Sequence, residues 1–263
     1  MSFQPLVPIG GYTGWKFLER TLVQQQQAFD ESPTIKRVTE NFREKISEIR
    51  TAEELVNDRD LLTVALGAFG LDDDINNKFF IQKILEEGTT DDDALANKLS
   101  DSRYAEFSKA FGFGDFSTPL TTTSIASEDI ITRFERQSFE AAVGEQDNQL
   151  RLALNIGKAL EDVTDSAKST NAQWYALLGN APLREVVQTA LGLPTEVGSV
   201  DIDKQLETFK ARSESVFGTD QIADFSGEDL QEKLVRLFLL RSSLSESTGY
   251  SSGNIALTLL ATR

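Results

Sequence analysis

The sequence predicts an all-α fold, a multihelical single globular unit of about ten to twelve helices, with two related helical halves as one interpretation. Apolar residues recur at spacings of three and four along most of the chain, which is the period of an amphipathic helix. The alternating pattern of a half-buried strand is absent from the sequence. Serine, threonine or aspartate precedes many of the apolar stripes and glycine follows them, as expected of helix caps.

The first half of the chain, residues 1–115, contains a succession of such stripes. Thr13 is expected to cap the first helix, and Thr51 with Glu54 is expected to form the capping box of a later one. The stripes of this half are Trp15-Leu18-Leu22-Phe29, Ile35-Val38-Phe42-Ile46-Ile49, Leu61-Leu62-Ala65-Phe69, Ile75-Phe79-Phe80-Ile84-Leu85, Leu95-Leu99 and Tyr104-Phe107-Ala110-Phe111.

The second half, residues 128–245, follows a predicted linker at 116–127 that is rich in serine and threonine. Ser127 is expected to cap its first helix. Residues 246–263 are expected to form a flexible tail, in which the apolar run 255–260 has no evident partner. The stripes of this half are Ile130-Ile131-Phe134-Phe139-Val143, Leu150-Leu154-Leu160-Val163, Trp174-Leu177-Leu178, Leu183-Val186-Val187-Ala190-Leu191, Ile202-Leu206-Phe209-Val216-Phe217 and Leu230-Leu234-Leu237-Phe238-Leu244.

An internal similarity connects the two halves. Residues 61–71 align with residues 183–193 at a constant offset of 122, and both segments end in Gly-Leu. One interpretation is a duplication that produced two related helical halves. The other is chance recurrence, because a helix that ends in glycine is a common pattern.

The absence of several residue types limits the catalytic and metal-binding chemistry that the chain can perform. The chain has no histidine, no cysteine and one methionine among 263 residues. This removes the commonest general base, the commonest zinc ligand, every thiol nucleophile and every disulfide. A Ser-His-Asp triad is impossible, and no phosphate-binding glycine motif ending in lysine is present. We therefore expect a non-enzymatic protein without a cofactor or a metal. The absence of cysteine fits the reducing cytoplasm, the expected location, and is also compatible with export through a thiol-free route.

The charge of the chain opposes two classes of partner. The formal net charge is −16, from 42 acidic and 26 basic residues. Nucleic acids and anionic membranes attract clustered lysine and arginine, so neither is an expected partner. No window approaches the run of about 18 apolar residues that a membrane helix needs, so no membrane insertion is expected.

A calcium loop is the one metal site that the acidic runs suggest. Asp72 to Asp74 precede two asparagines, but an EF-hand starting at Asp72 would need glycine where Asn77 stands and glutamate where Lys83 stands. Acidic residues at the beginning of a helix interact favourably with the helix dipole, and this role explains the run better.

Protein contacts are expected at two places. Trp15 and Leu18 lie on the apolar face of the first helix, where core packing is the alternative role. Phe113 and Phe116 stand among glycines beside Asp115, where a regular helix cannot bury them easily. They either pack over the linker or form an exposed patch for a partner.

Several motifs together resemble a family of unknown function that is found in alphaproteobacteria. The resemblance extends from about Phe3 to Leu244, and it implies an all-helical fold without known catalytic residues, cofactor or substrate. Members of the family tend to be encoded among flagellar genes. The motifs are Gly14-Trp15-Lys16-Phe17-Leu18-Glu19-Arg20-Thr21 with Gln25 and Phe29, Leu66-Gly67-Ala68-Phe69-Gly70-Leu71, Lys83-Ile84-Leu85-Glu86-Glu87-Gly88, Asp101-Ser102-Arg103-Tyr104 with Phe111-Gly112-Phe113-Gly114, and Pro182-Leu183-Arg184 with Ala190-Leu191-Gly192-Leu193-Pro194.

The resemblance implies a flagellum-associated accessory or assembly protein that binds flagellar rod, hook or export components. The alternative is an enzyme or small-molecule binder with a carboxylate site between the two halves. A third interpretation is an axial component whose terminal helices become ordered on assembly.

Overall fold

The computed structural model of the protein describes residues 3–99, 101–166 and 169–249. Along these residues the all-α prediction is confirmed, with thirteen α-helices, eleven of them seven residues or longer, and no strand. No helix of the described part is long and apolar enough to span a membrane. The predicted tail lies outside the described residues from 250 onward, and residues 246–249 belong to the last helix.

The described chain divides into two compact units. Unit 1 comprises residues 3–5 and 22–142, and unit 2 comprises residues 6–21 and the chain from 143 onward. Both divisions fall inside helices, because α1 and α8 each contribute residues to both units. The predicted linker at 116–127 lies within unit 1, where it contains a short 3-10 helix and the first turn of α8.

Unit 1 has a core built around α4, five of whose apolar side chains are fully buried. Aromatic rings extend this core, as where Phe69 meets Phe107 edge-to-face with 5.6 Å between ring centroids. The helices of unit 1 are the second part of α1 (Gly11–Asp30), α2 (Pro33–Lys45), α3 (Ala52–Asn57), α4 (Arg59–Gly67), α5 (Lys78–Glu87), α6 (Leu95–Lys98), α7 (Arg103–Phe111) and most of α8 (Ser124–Gly144).

Unit 2 packs α11 against α9 and α13. Trp174 is fully buried in this unit, where its indole N–H donates to the carbonyl of Asp220 at 2.7 Å. The ring also meets Phe209 edge-on at 6.3 Å between centroids. The complete helices of unit 2 are α9 (Asn148–Ser166), α10 (Thr170–Gly179), α11 (Ala181–Leu191), α12 (Ile202–Phe217) and α13 (Glu228–Gly249).

Helices α4 and α11 have matching N-caps and are followed by the same hydrogen-bonded turn at the offset of 122 residues. Asp58 and Asn180 precede them, and each side chain accepts the backbone N–H of the third helical residue. Gly70 and Gly192 take φ values of 65° and 66°. The next residue in each unit closes the same bond of 3.0 Å, from Leu71 N–H to Leu66 O and from Leu193 N–H to Gln188 O. The similarity is thus expressed in structure, and a duplication as its origin stays a prediction.

Two predicted N-caps are wrong. α1 begins at Gly11 and α8 begins at Ser124, so Thr13 and Ser127 lie inside their helices. The Ser127 hydroxyl donates back to the carbonyl of Ser124 at 3.0 Å and therefore caps no N–H group. A serine inside a helix can satisfy its hydroxyl on the preceding turn, which makes a cap and an interior serine look alike in sequence.

Candidate partner-binding surface

The structure places the four predicted contact residues in different units. Trp15 and Leu18 belong to unit 2, and Phe113 and Phe116 belong to unit 1. Leu18 is fully buried, so its side chain is not available to a partner. Trp15 is half-buried. On α1, Trp15 therefore remains the candidate partner contact.

Phe113 and Phe116 lie on the loop that follows α7. This helix ends at Gly112, whose φ of 68° is in the left-handed region and whose N–H donates to Ser108 O at 2.8 Å. The N–H of Phe116 then donates to Gly112 O at 3.1 Å, which closes a turn. Phe113 is half-buried and stacks on Phe111, with 5.9 Å between centroids and 14° between planes.

Phe116 and Leu120 both lie over Gly112. A Cβ atom at Gly112 would stand 2.7 Å from the Phe116 ring and 3.2 Å from Leu120 Cγ, so only a glycine leaves room for these two side chains. Phe116 remains 54% exposed and Leu120 remains 37% exposed. We call the three apolar side chains Phe113, Phe116 and Leu120 the Phe116 surface.

The backbone of this loop is fixed by its neighbours in unit 1. Gly114 approaches the backbone of Glu86 and Gly88 so closely that no Cβ atom fits at this position. Asp115 accepts the backbone N–H groups of Thr89 and Thr90 at 2.6 and 2.9 Å. It also accepts their hydroxyls at 3.0 and 2.8 Å. The loop is therefore fixed at the two residues that directly precede the exposed Phe116.

The hydrogen bonds to Asp115 also change its ionisation. Burial by itself raises the pKa of this carboxyl, but the bonds from Thr89 and Thr90 outweigh burial and hold the pKa below its ordinary value. Asp115 is thus a charged anchor at neutral pH.

Sequence reasoning missed Leu120, because it lies in the segment interpreted as a linker. An apolar residue directly after Pro119 within a run of serine and threonine was the available signal. The adjacent Thr121 is fully buried, so this segment is packed against unit 1 and is not a free connection. A rigidly held exposed aromatic ring is the kind of residue that dominates protein–protein binding energy, since little conformational entropy is lost on binding.

A second notable group in unit 1 is a pair of carboxyls, Asp30 and Glu135. Burial, first, and the nearby charge of Asp30 together raise the pKa of Glu135 to about 7, against the opposing effect of Arg43. Burial also raises the pKa of Asp30, against a 2.7 Å hydrogen bond from Gln26. The guanidinium of Arg43 is bound by Glu128 through bonds of 2.5 and 2.9 Å, so it compensates Glu135 only in part.

Asp74, a member of the acidic run that does not fit a calcium loop, has two hydrogen-bond partners. Asp74 lies on the 3-10 helix Asp72–Asn76, where its carboxylate accepts the Tyr104 hydroxyl at 2.5 Å and the Asn77 amide at 2.6 Å. Burial and the hydrogen bond to Asp74 together raise the pKa of Tyr104 to about 12. Within the described ranges, no three aspartate or glutamate side chains converge as a metal site would require.

Comparison with known proteins identifies a family and a solved structure with a similar fold. Residues 68–233, more than half of the chain, match the family model described as protein of unknown function (DUF1217). The X-ray crystal structure of protein AGR_C_984 from Agrobacterium tumefaciens is similar, with a TM-score of 0.72 and 28% sequence identity. The match covers 92% of this chain and 99% of that chain. No curated protein matches the sequence. The chain belongs to the DUF1217 family of proteins of unknown function.

Proposed function

We propose that the protein is a non-enzymatic accessory or assembly protein of the flagellum that acts by binding a protein partner through the Phe116 surface. The observation that carries the binding role is Phe116, which is 54% exposed on a loop whose backbone is fixed. A flexible loop would have to be ordered on binding, whereas this one presents its aromatic ring already oriented. Trp15, half-buried on α1, is proposed as a second contact.

The flagellar part of the proposal rests on the motifs that resemble the alphaproteobacterial family. The proposed partners are flagellar rod, hook or export components. The net charge of −16 adds a physical preference, because an acidic surface favours partners that present basic residues beside an apolar contact. In this proposal the protein resides in the cytoplasm and associates with the flagellum.

The proposal is tested by affinity capture from motile cells with two matched variants. Phe116→Ser removes the exposed ring from the fixed loop. Phe79→Ser is the control, because Phe79 is 80% exposed on α5 of the same unit. We expect wild type and Phe79→Ser to capture flagellar components and Phe116→Ser to lose at least about tenfold of that signal.

Gene deletion supplies the independent test of the flagellar role. We expect reduced swimming in soft agar and reduced filament assembly, restored by wild type and not by Phe116→Ser. Normal motility and normal filaments after deletion would remove the flagellar role. Equal capture by the two phenylalanine variants would remove the Phe116 surface as the contact while leaving the flagellar role open to the deletion result.

The second candidate function is a small-molecule binder or enzyme with a carboxylate site. The observation in its favour is the Asp30–Glu135 pair, because a carboxyl with a pKa of about 7 can donate or accept a proton at neutral pH. This function predicts that a small molecule raises the melting temperature of the wild type and not of Glu135→Gln. A ligand that stabilises both proteins equally binds elsewhere and would count against this site.

A further inference from the structure

Two helices of unit 1 end side by side next to the Phe116 surface. Helix α7 ends at Gly112, beneath the Phe116 ring, and helix α5 ends at Gly88. Gly114, which follows α7, lies directly against the backbone of Glu86 and Gly88. The last carbonyl groups of a helix carry a partial negative charge, so two adjacent C-terminal ends attract a cation.

Acidic side chains add to this negative potential. Residues 83–98 contain five carboxylates and two lysines, and Asp115 supplies a sixth carboxylate beside them. The five carboxylates of this segment are all exposed, and they are Glu86, Glu87, Asp91, Asp92 and Asp93. The solvent next to the Phe116 surface is therefore a place where positive charge is favoured.

An open groove lies among these carboxylates. It has a volume of about 400 Å³ and is lined by Glu87, Asp91, Asp93 and Ala94, which we call the α5 groove. Lys83 lies 3.5 Å from Glu87, and Lys98 lies 2.8 Å from Asp93. Both lysines are more than half exposed, and such ion pairs contribute little and exchange readily. The carboxylate of Asp91 accepts the backbone N–H of Asp93 at 2.9 Å, so a peptide dipole and not a lysine offsets its charge.

The α5 groove and the Phe116 surface are close enough for one short segment to contact both. Asp115, the residue before Phe116, accepts the N–H of Thr90 at 2.9 Å, and Asp91 follows Thr90 in the chain. With 3.8 Å between successive Cα atoms and the reach of one aspartate side chain, the Cα atoms of Phe116 and Asp91 are at most about 16 Å apart. An extended segment of about five residues spans this distance.

We propose that the partner of the Phe116 surface is a basic and apolar peptide segment that places a lysine or arginine in the α5 groove. An aromatic or aliphatic side chain within about five residues of that cation then packs on Phe116. Arginine is the favoured cation, because its planar guanidinium can donate to two carboxylates at once. An uncharged segment would desolvate the carboxylates of the groove without compensation, and an acidic one would be repelled. This inference rests on the Phe116 surface as the contact, but it does not require the partner to be flagellar.

A peptide selection tests the chemistry of the partner. Random peptides of about twelve residues, which are long enough to span both contacts, are displayed on phage and selected on the immobilised full-length protein. Sequences that also bind Phe116→Ser are discarded. We expect the enriched peptides to pair an aromatic residue or leucine with arginine or lysine within about five positions. The most enriched peptide is synthesised with a fluorescent label, and anisotropy measures its affinity.

Charge-neutral variants of the α5 groove provide the direct measurement. The test variant combines Asp91→Asn with Asp93→Asn. The control combines Asp60→Asn with Asp73→Asn, so that both proteins lose the same charge from the same unit. All four side chains are exposed, so the substitutions preserve folding. We expect the test variant to bind the peptide at least about fivefold more weakly than wild type, and the control to stay within about twofold.

The salt dependence of binding gives a second readout of the same contact. Raising the salt concentration from about 50 to about 500 mM should weaken wild-type binding at least about fivefold, because salt screens exposed charge pairs. The Asp91→Asn, Asp93→Asn protein should lose most of this dependence, since its groove no longer holds a charge pair with the peptide. The control protein should keep it.

The outcomes separate failure of the groove from failure of the Phe116 surface. Enriched peptides without basic residues, or equal affinities of the groove variant and its control, would overturn the inference and leave the Phe116 surface as the contact. A selection that yields only peptides that also bind Phe116→Ser, or no enriched peptide, would remove the Phe116 surface itself and this inference with it.

Discussion

Asp115 holds the loop after α7 through Thr89, a residue 26 positions earlier that donates both its backbone N–H and its hydroxyl to the same carboxylate. The bond from the N–H is 2.6 Å and the bond from the hydroxyl is 3.0 Å. Thr90 repeats the arrangement, so one side chain fixes two backbone positions after α5. The orientation of the exposed Phe116 next to it depends on this anchor.

The first prediction concerns Asp115→Ala. The variant leaves two backbone N–H groups and two hydroxyls without their acceptor, and losing a charged acceptor typically costs about 1–3 kcal/mol. Asp115 is partly exposed and water replaces some of the bonds, so we expect the lower end of that range. Urea unfolding followed by circular dichroism measures the free energy of unfolding.

Asp92→Ala is the matched control for this variant. Asp92 is an exposed aspartate in the same loop region after α5, and it should change stability by less than about 0.5 kcal/mol. Because the pKa of folded Asp115 lies below its ordinary value, its contribution is present at neutral pH and is lost as the pH falls through the folded pKa. Equal stability of the two variants at pH 7 would show that the anchor contributes nothing.

The second prediction compares alanine at two glycines with positive φ. Gly112 has φ of 68° and faces the Phe116 ring, whereas Gly218 has φ of 80° and no atom within 4 Å of the place where a Cβ atom would stand. Both variants carry the backbone strain of about 1 kcal/mol for a left-handed alanine. Only Gly112→Ala must also displace Phe116, so it should lower the melting temperature more and weaken partner capture. If both variants lose the same stability, the Phe116 ring moves away from the added methyl group at no measurable cost in free energy.

The third prediction is a pH dependence of stability that Glu135 produces. Its pKa is about 7 in the folded protein against an ordinary value of 4.5. The folded state therefore binds more protons than the unfolded state between these values, and stability falls as the pH rises from about 4.5 to about 7. Asp30, whose pKa is also raised, acts in the same direction. After discounting for solvent screening of a half-exposed group, we expect an effect of about 1 kcal/mol.

Glu135→Gln tests this dependence because it keeps the shape of the side chain and removes its charge. The variant should be more stable than wild type at pH 8 and nearly equal to it at pH 5. Glu145→Gln serves as control, since Glu145 is an exposed carboxyl at the end of the same helical region. A wild-type curve that stays parallel to the Glu135→Gln curve across this range would contradict the assignment.

Local features of the fold could be predicted from the sequence. The Thr51–Glu54 capping box is confirmed, with Glu54 N–H donating to the Thr51 hydroxyl at 3.1 Å and Thr51 N–H donating to the Glu54 carboxylate at 3.2 Å. Its members are three residues apart, so spacing alone fixes their geometry once the helix forms. Most residues of the apolar stripes are likewise buried or partly buried, because helical period decides which residues share a face, but Phe79 and Ile202 are 80% and 46% exposed.

The contact surface could be predicted only in part. Glycine-rich surroundings distinguish Phe113 and Phe116 in the sequence, but nothing local indicates that Thr89 meets Asp115. Similarly, burial of Leu18 depends on what packs against α1, which helical period does not encode. Pairings between distant residues, such as Asp30 with Glu135, are decided by tertiary packing, and they carry the unusual electrostatics of the molecule.

The last prediction uses the two tryptophans as a pair. Trp174 is fully buried, and its indole N–H donates to Asp220 O at 2.7 Å, whereas Trp15 is half-buried. Trp174→Phe leaves that carbonyl without the indole donor and opens a small cavity, for which about 2–4 kcal/mol is expected. Trp15→Phe should cost less than about 1 kcal/mol, because a half-buried ring can be replaced with little loss of packing. Urea unfolding measured by far-UV circular dichroism compares the two free energies, and the fluorescence of the remaining tryptophan reports unit 2 in either variant. A loss for Trp15→Phe as large as for Trp174→Phe would mean that Trp15 belongs to the core of unit 2, and it would then be withdrawn as a partner contact.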